Sequence, residues 1–336
     1  MNSCLYLTCT QLRLGVLFGS LVFVLSLVGC AHGPQTKELL TSSFTPPQFE
    51  MTEVAFFPQR QYQCGPAALA TVFQYRGVSI HPDELVSQVY IPAKQGSLQI
   101  EMLAATRAQG LVPYMIEPTM HSLLSEVAAG NPVLVMQNLG LSWYPVWHYA
   151  VVVGYDLAAQ TLVLRSAETK RWLSDFSAFE RTWARSGYWG VVVSKPNHLP
   201  ATAQTQPWLQ SIFTLEQVGQ KQAAQQGYQV GYERWPDNVG IGLALSNLYY
   251  NQQQYVQADL VLRNLIKTHP TNALLWNNLA YVQKVQGCFI EARNAAECAI
   301  KNSPKDKNIQ TTWLELQALP LTSQPYCNAV SCIDEM

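Results

Sequence analysis

From about residue 205 the chain repeats itself every 34 residues, and this period constrains its architecture more than any other feature. Pro236, Pro270 and Pro304 are spaced by it, as are Ala224, Ala258 and Ala292, and Asn238, Asn272 and Asp306. Trp208, Gly242 and Trp276 keep the same step, with Tyr232, Ile266 and Ile300, and Tyr255 and Phe289. A unit of about 34 residues is one helix–turn–helix, with small Ala where two helices touch and Pro where the second helix ends. One unit cannot bury its apolar stripe alone, so a stack of three over about 205–303 is expected, closed by a capping helix from Asp306 to Leu319.

These anchor positions are those of tetratricopeptide (TPR) repeats, and an all-α TPR solenoid is expected over 207–319, with a tail at 320–336. Trp208 and Trp276 read as repeat core. The amides of Asn247, Gln252, Gln253, Gln254, Asn277 and Asn278 suit hydrogen bonding to an extended peptide on a concave face, or plain surface polarity. Ser194 to Pro207 holds three Pro among small polar residues, so 196–206 reads as a linker.

The first 29 residues carry one charge, Arg13, before an apolar run from Leu14 to Val28. At 1.5 Å per residue that run is about 22 Å long, short of a ~30 Å hydrocarbon core, and fits a signal-peptide h-region. It ends in Leu27-Val28-Gly29-Cys30, which resembles the bacterial lipobox. The resemblance implies lipidation of Cys30 as the first mature residue. Ala31, in place of the inner-membrane retention Asp, implies an outer-membrane lipoprotein facing the periplasm. Residues 30–48 read as a polar tether. With 21 Lys+Arg against 22 Asp+Glu, 13% charged and 48% apolar residues, the chain has no basic patch for nucleic acid and is too apolar for disorder. No cofactor or metal is expected.

Of eight Cys, Cys4 and Cys9 leave with the signal and Cys30 takes lipid. In an oxidising compartment Cys327 with Cys332, and Cys288 with Cys298, are possible pairs, and Cys64 is left over. Cys64 precedes Gly65-Pro66-Ala67-Ala68-Leu69, where Pro suits a first helical turn. A Cys at a helix N-terminus meets N–H groups that favour the thiolate, and Gly65 leaves room for substrate backbone. A nucleophile needs a base. Val133–Gln137, Trp147–Asp156 and Thr161–Ser166 read as strands, and His148 begins the second. His32, His81, His121, His198 and His269 have weaker contexts.

Gln59, Cys64 to Leu69, Gly96-Ser97, Gly130-Asn131-Pro132-Val133-Leu134-Val135 and His148-Tyr149-Ala150-Val151-Val152-Val153-Gly154-Tyr155-Asp156 together resemble the bacteriocin-processing papain-like cysteine peptidases. The resemblance spans about 50–195 and implies an α+β papain-like domain over 49–195. It implies Cys64 as nucleophile, His148 as general base and Gln59 as an oxyanion-hole amide. The family's Asp on the next strand is missing. The stretch here is Val163-Leu164-Arg165-Ser166-Ala167-Glu168, leaving Ser166 or Glu168 to orient the imidazole. No Walker-type phosphate loop is present, so double-glycine specificity is not carried over. Three functions follow: a lipid-anchored cysteine peptidase whose repeats recruit a peptide, protein substrate or partner; a catalytically weak envelope scaffold; or another papain-like reaction, on peptidoglycan stem peptides or by acyl transfer.

Overall fold

The computed structural model describes residues 33–59, 63–322 and 324–332. The signal and the Cys30 lipidation position lie outside them. No helix among the described residues is long and apolar enough to cross a membrane.

The first half is α+β. In chain order come α1 (Pro34–Thr41), β1 (Gln48–Glu50), α2 (Cys64–Tyr75), α3 (Pro82–Val89), β2 (Tyr90–Ile91), β3 (Gly96–Ser97), α4 (Gln99–Ala108), β4 (Val112–Met115) and α5 (Met120–Ala128). Then follow β5 (Val133–Asn138), β6 (Trp147–Asp156), β7 (Thr161–Ser166), β8 (Thr169–Asp175), α6 (Phe176–Ala184) and β9 (Gly190–Ser194). The main sheet runs β4-β9-β5-β6-β7-β8, with β1 also paired to β6, and its neighbours are antiparallel. β6 reads as a continuous apolar run because helices α2 and α5 pack on it, and Tyr149 to Val153 are buried. One charge, Arg165 of β7, is buried with them. Its guanidinium donates to the carbonyls of Val54 (3.1 Å), Lys170 (2.8 Å) and Met51 (3.3 Å), stitching the approach to α2 onto the sheet.

The expected tether over 30–48 is folded where it is described. α1 buries Thr36 and Leu39, and its N-terminal amides at Gln35 and Thr36 donate to the Glu180 carboxylate of α6 (3.0 and 2.7 Å). A carboxylate at a helix N-terminus satisfies orphan donors and meets the dipole. Two buried positions in eight residues are too few to register as a period.

The expected linker 196–206 is likewise clamped. Glu126 of α5 is fully buried and accepts from Thr202 N–H (2.7 Å), Thr202 Oγ1 (2.6 Å), Ala201 N–H (3.1 Å) and Asn131 Nδ2 (2.7 Å). Tyr114 Oη donates to Thr202 O and accepts from Gln204 N–H, and its ring lies 6.4 Å from that of Trp208. The first repeat helix therefore covers edge strand β4, protecting its open side.

The repeats are α7 (Thr205–Gln217) with α8 (Lys221–Arg234), α9 (Val239–Asn251) with α10 (Tyr255–Thr268), and α11 (Ala273–Val285) with α12 (Phe289–Asn302), capped by α13 (Lys307–Gln317). Each periodic series has a structural job. Asn238, Asn272 and Asp306 are side-chain N-caps, and Ala224, Ala258 and Ala292 are fully buried. At Gly242 a Cβ would come within 2.3 Å of Leu265, so the absent Trp leaves space the neighbouring helix fills.

The disulfides differ from the pairs expected. Cys288 joins Cys327 and Cys298 joins Cys332, with Cα separations of 5.6 and 5.3 Å. Cys288 caps α12 and Cys298 sits inside it. Ten residues of helix hold them about 15 Å apart, too far for a bond. The tail folds back instead, with Arg263 donating to Asn328 O and Ala329 O, and Asn294 to Val330 O.

Glu126→Ala would leave buried donors unpaired at the domain junction, at a cost of about 3 kcal/mol. We expect a lower melting temperature and new protease cleavage near 196–204. Unchanged proteolysis would show that the junction holds without the carboxylate.

Candidate active site

Cys64 is the first residue of α2 and lies against the start of β6. Among the described residues it is the one cysteine outside a disulfide. The sequence reading favoured a thiolate here, but burial wins. Desolvation raises the Cys64 pKa, and the N–H groups of Tyr149, Gly65 and Cys64 itself pull it down by less. The thiol is protonated at rest.

His148 is two residues into β6, cross-strand from Gln137. Its Nε2 lies 2.9 Å from Ser166 Oγ at the end of β7, leaving Nδ1 free to serve a thiol. Burial lowers its pKa to about 4, so the ring is neutral at pH 7. Ser166 has no charge with which to oppose that shift. Glu168 is exposed at the β7–β8 turn, so the hydroxyl is the group on the ring. Between them Ala167 takes a left-handed φ of 51° and its carbonyl accepts Gln59 N–H at 3.1 Å. Gln59 is thereby fixed beside Ser166.

Two further residues belong to the site. Ser97 was part of the motif set without a role. Its side chain occupies the space beside Gly65, where a Cβ would lie 2.2 Å from Ser97 Oγ. The room expected for substrate backbone is thus taken by the protein itself. Ser97 Oγ is buried with no hydrogen-bond partner, while Ser97 O accepts Tyr149 Oη at 3.3 Å. The Tyr149 phenol is raised above its usual range by burial and then by Cys64. No spacing rule points to Ser97 or Tyr149; only the fold of β3 against α2 does.

The arrangement can hold a neutral thiol–imidazole pair, with backbone donors aimed at the sulfur and one hydroxyl against the ring. The His, Cys and carboxylate grouping among the described residues, Cys288, Glu291 and Cys327, lies where the tail meets the last repeat and contains a disulfide.

Because the folded pKa of His148 lies below its unfolded value of 6.5, the folded state resists protonation. Its contribution is intact above pH 6.5 and is lost as pH falls towards 4. At about 1.4 kcal/mol per unit, discounted for a half-buried ring, the loss is on the order of 2 kcal/mol. Urea unfolding of His148→Phe should show that much less destabilisation between pH 7 and 4 than the unaltered chain. Parallel curves would refute the neutral buried ring.

No curated protein matches the chain. Among solved structures, a putative C39-like peptidase from Bacillus anthracis is 16% identical, covering 45% of this chain and 98% of its own at a TM-score of 0.38. A double-glycine motif protease from an AMS/PCAT transporter, solved with its leader peptide, is 19% identical over 43% and 94%, at a TM-score of 0.34. The first TPR domain of Spaghetti (RPAP3), bound to an HSP90 peptide, is 11% identical over 34% and 90%, at 0.32. Residues 51–191, which contain Cys64, His148 and Ser166, match the Peptidase_C39-like family.

Proposed function

We propose that the chain is a lipid-anchored cysteine peptidase of the bacterial envelope, facing the periplasm, whose repeats recruit the polypeptide it cuts. The observation that carries this reading is the convergence at one helix N-terminus. The Cys64 sulfur receives backbone N–H groups, one of them from Tyr149, while the adjacent His148 is held by Ser166. Cys64 Sγ attacks the scissile carbonyl as His148 Nδ1 takes the thiol proton. The proton passes to the leaving amine as the C–N bond breaks, and water then hydrolyses the thioester. Gln59 supplies an amide to the developing oxyanion. Ser166 accepts from Nε2–H and keeps the proton off Nδ1, but as a neutral group it stabilises the imidazolium less than an Asp would. The same substitution favours a second reading, a catalytically weak domain that serves as a scaffold.

Recruitment is assigned to the repeats because their helices leave a recess of about 290 Å³ lined by Ser246, Asn247, Tyr250, Asn278 and Tyr281. Asn278 Nδ2 donates to Asn247 Oδ1 at 3.0 Å, a pair that an extended peptide backbone can intercept. The lipobox ending in Cys30 supports anchoring, and two disulfides suit an oxidising compartment. Mass spectrometry of the full chain purified from membranes should find Cys30 acylated at the mature N-terminus; an unmodified Cys30 would contradict the anchor.

Chloroacetamide labelling at pH 7, followed by mass spectrometry, should modify Cys64 and slow at least tenfold in His148→Ala. Equal rates would mean that His148 does not act on the thiol. Ser166→Asp should raise the His148 pKa by opposite charge and speed labelling at neutral pH. An unchanged rate would count against Ser166 as the orienter and in favour of the scaffold.

A further inference from the structure

The β5–β6 connection stands out on this surface. Residues 139–147, Leu-Gly-Leu-Ser-Trp-Tyr-Pro-Val-Trp, carry no charge. Leu139, Leu141, Val146 and Trp147 are about half exposed, Tyr144 is 69% exposed and Trp143 is 80% exposed. So much apolar area at a loop tip is costly unless something covers it.

The loop is built to keep those side chains out. Leu139 N–H donates to Val146 O (2.8 Å), and Leu141 and Tyr144 exchange backbone hydrogen bonds (3.1 Å each). Asn138 Oδ1 accepts from Gly140 and Val146 N–H (3.0 and 2.9 Å). Arg185, the C-cap of α6, donates twice to Asn138 O (3.1 and 2.9 Å). Trp143 therefore projects from a braced hairpin and does not line a recess.

The chain upstream says what covers it. Gly33, the first described residue, packs against Glu180, which is five residues before Arg185 on the same helix, about 7.5 Å along its axis. Cys30 is three residues before Gly33, at most about 11 Å of extended chain. An acylated Cys30 would hold the α6 side of the domain, and with it the hairpin, against the bilayer. Trp and Tyr are the side chains that settle at a membrane–water interface, and an uncharged tip pays no desolvation of charge to enter it.

We infer that the 139–147 hairpin is a membrane-contact wedge that inserts Trp143 and Tyr144 among lipid headgroups. The placement rests on the Cys30 lipidation reading, but the wedge itself does not need the lipid. Since Trp147 precedes His148, the wedge holds the active site at the bilayer surface, within reach of polypeptides lying on or leaving the membrane.

The test uses a chain beginning at Ala31, which keeps every described element and lacks both signal and acyl chain. It is floated with phosphatidylethanolamine–phosphatidylglycerol vesicles at 50 and 500 mM NaCl. We expect flotation at both salts with a blue shift of tryptophan emission. Trp143→Ser/Tyr144→Ser should lower the bound fraction at least tenfold at an unchanged melting temperature. A chain that stays unbound, floats only at low salt, or floats as well with both aromatic residues replaced would overturn the wedge. Failure of the anchor reads out separately, as the absence of an acyl group on Cys30 when the full chain is analysed by mass spectrometry.

Discussion

A single buried carboxylate, Glu126, ties the α+β half to the repeats. It holds Ala201 and Thr202 on one side and Asn131 on the other. Asn131 in turn accepts from Arg76, the C-cap of α2, whose Nε donates to Val193 O. The helix that presents Cys64 at one end is thus anchored at the other into the network that grips the start of the solenoid. Burial draws the Arg76 pKa down, and Tyr75 and Glu126 act against that. Such a network is stable only when complete, so the two halves are set in one geometry and are not strung on a flexible link.

The sequence exposed the repeats most clearly, because each periodic residue has a separate local cause. Asn238 and Asn272 cap, Ala224 and Ala258 make room, and Pro236 and Pro270 stop helices. Strands β5 and β6 were legible as apolar runs, and Cys64 and His148 by the elements they open. The docking of α1 and of 196–206 was hidden, since both depend on single buried carboxylates, Glu180 and Glu126, far away in sequence. The disulfides were misread for a related reason. Proximity along the chain favours Cys288 with Cys298, but a helix keeps near neighbours apart.

At the site, the sequence pointed to Cys64, His148 and Ser166 but not to the electrostatics around them. A helix N-terminus argues for a thiolate and a bare spacing argument stops there. Depth of burial reverses it: Cys64 loses more from dehydration than the N–H groups around its sulfur return, and at His148 dehydration acts unopposed. An Asp at position 166 would supply a countercharge at the expense of burying another ion. Ser166 avoids that expense and leaves the ring without a countercharge.

The C-terminal tail adds a mechanical property. It crosses the outer helices, bonded covalently at both Cys288 and Cys298 and hydrogen-bonded to Arg263 and Asn294. Helical solenoids bend as springs, since each repeat touches only its neighbours. A strap across the outside of the last turns restrains that spring while leaving the recess at Asn247 and Asn278 open. Two covalent staples and three hydrogen bonds therefore couple the bending of the last helix pairs to the tail.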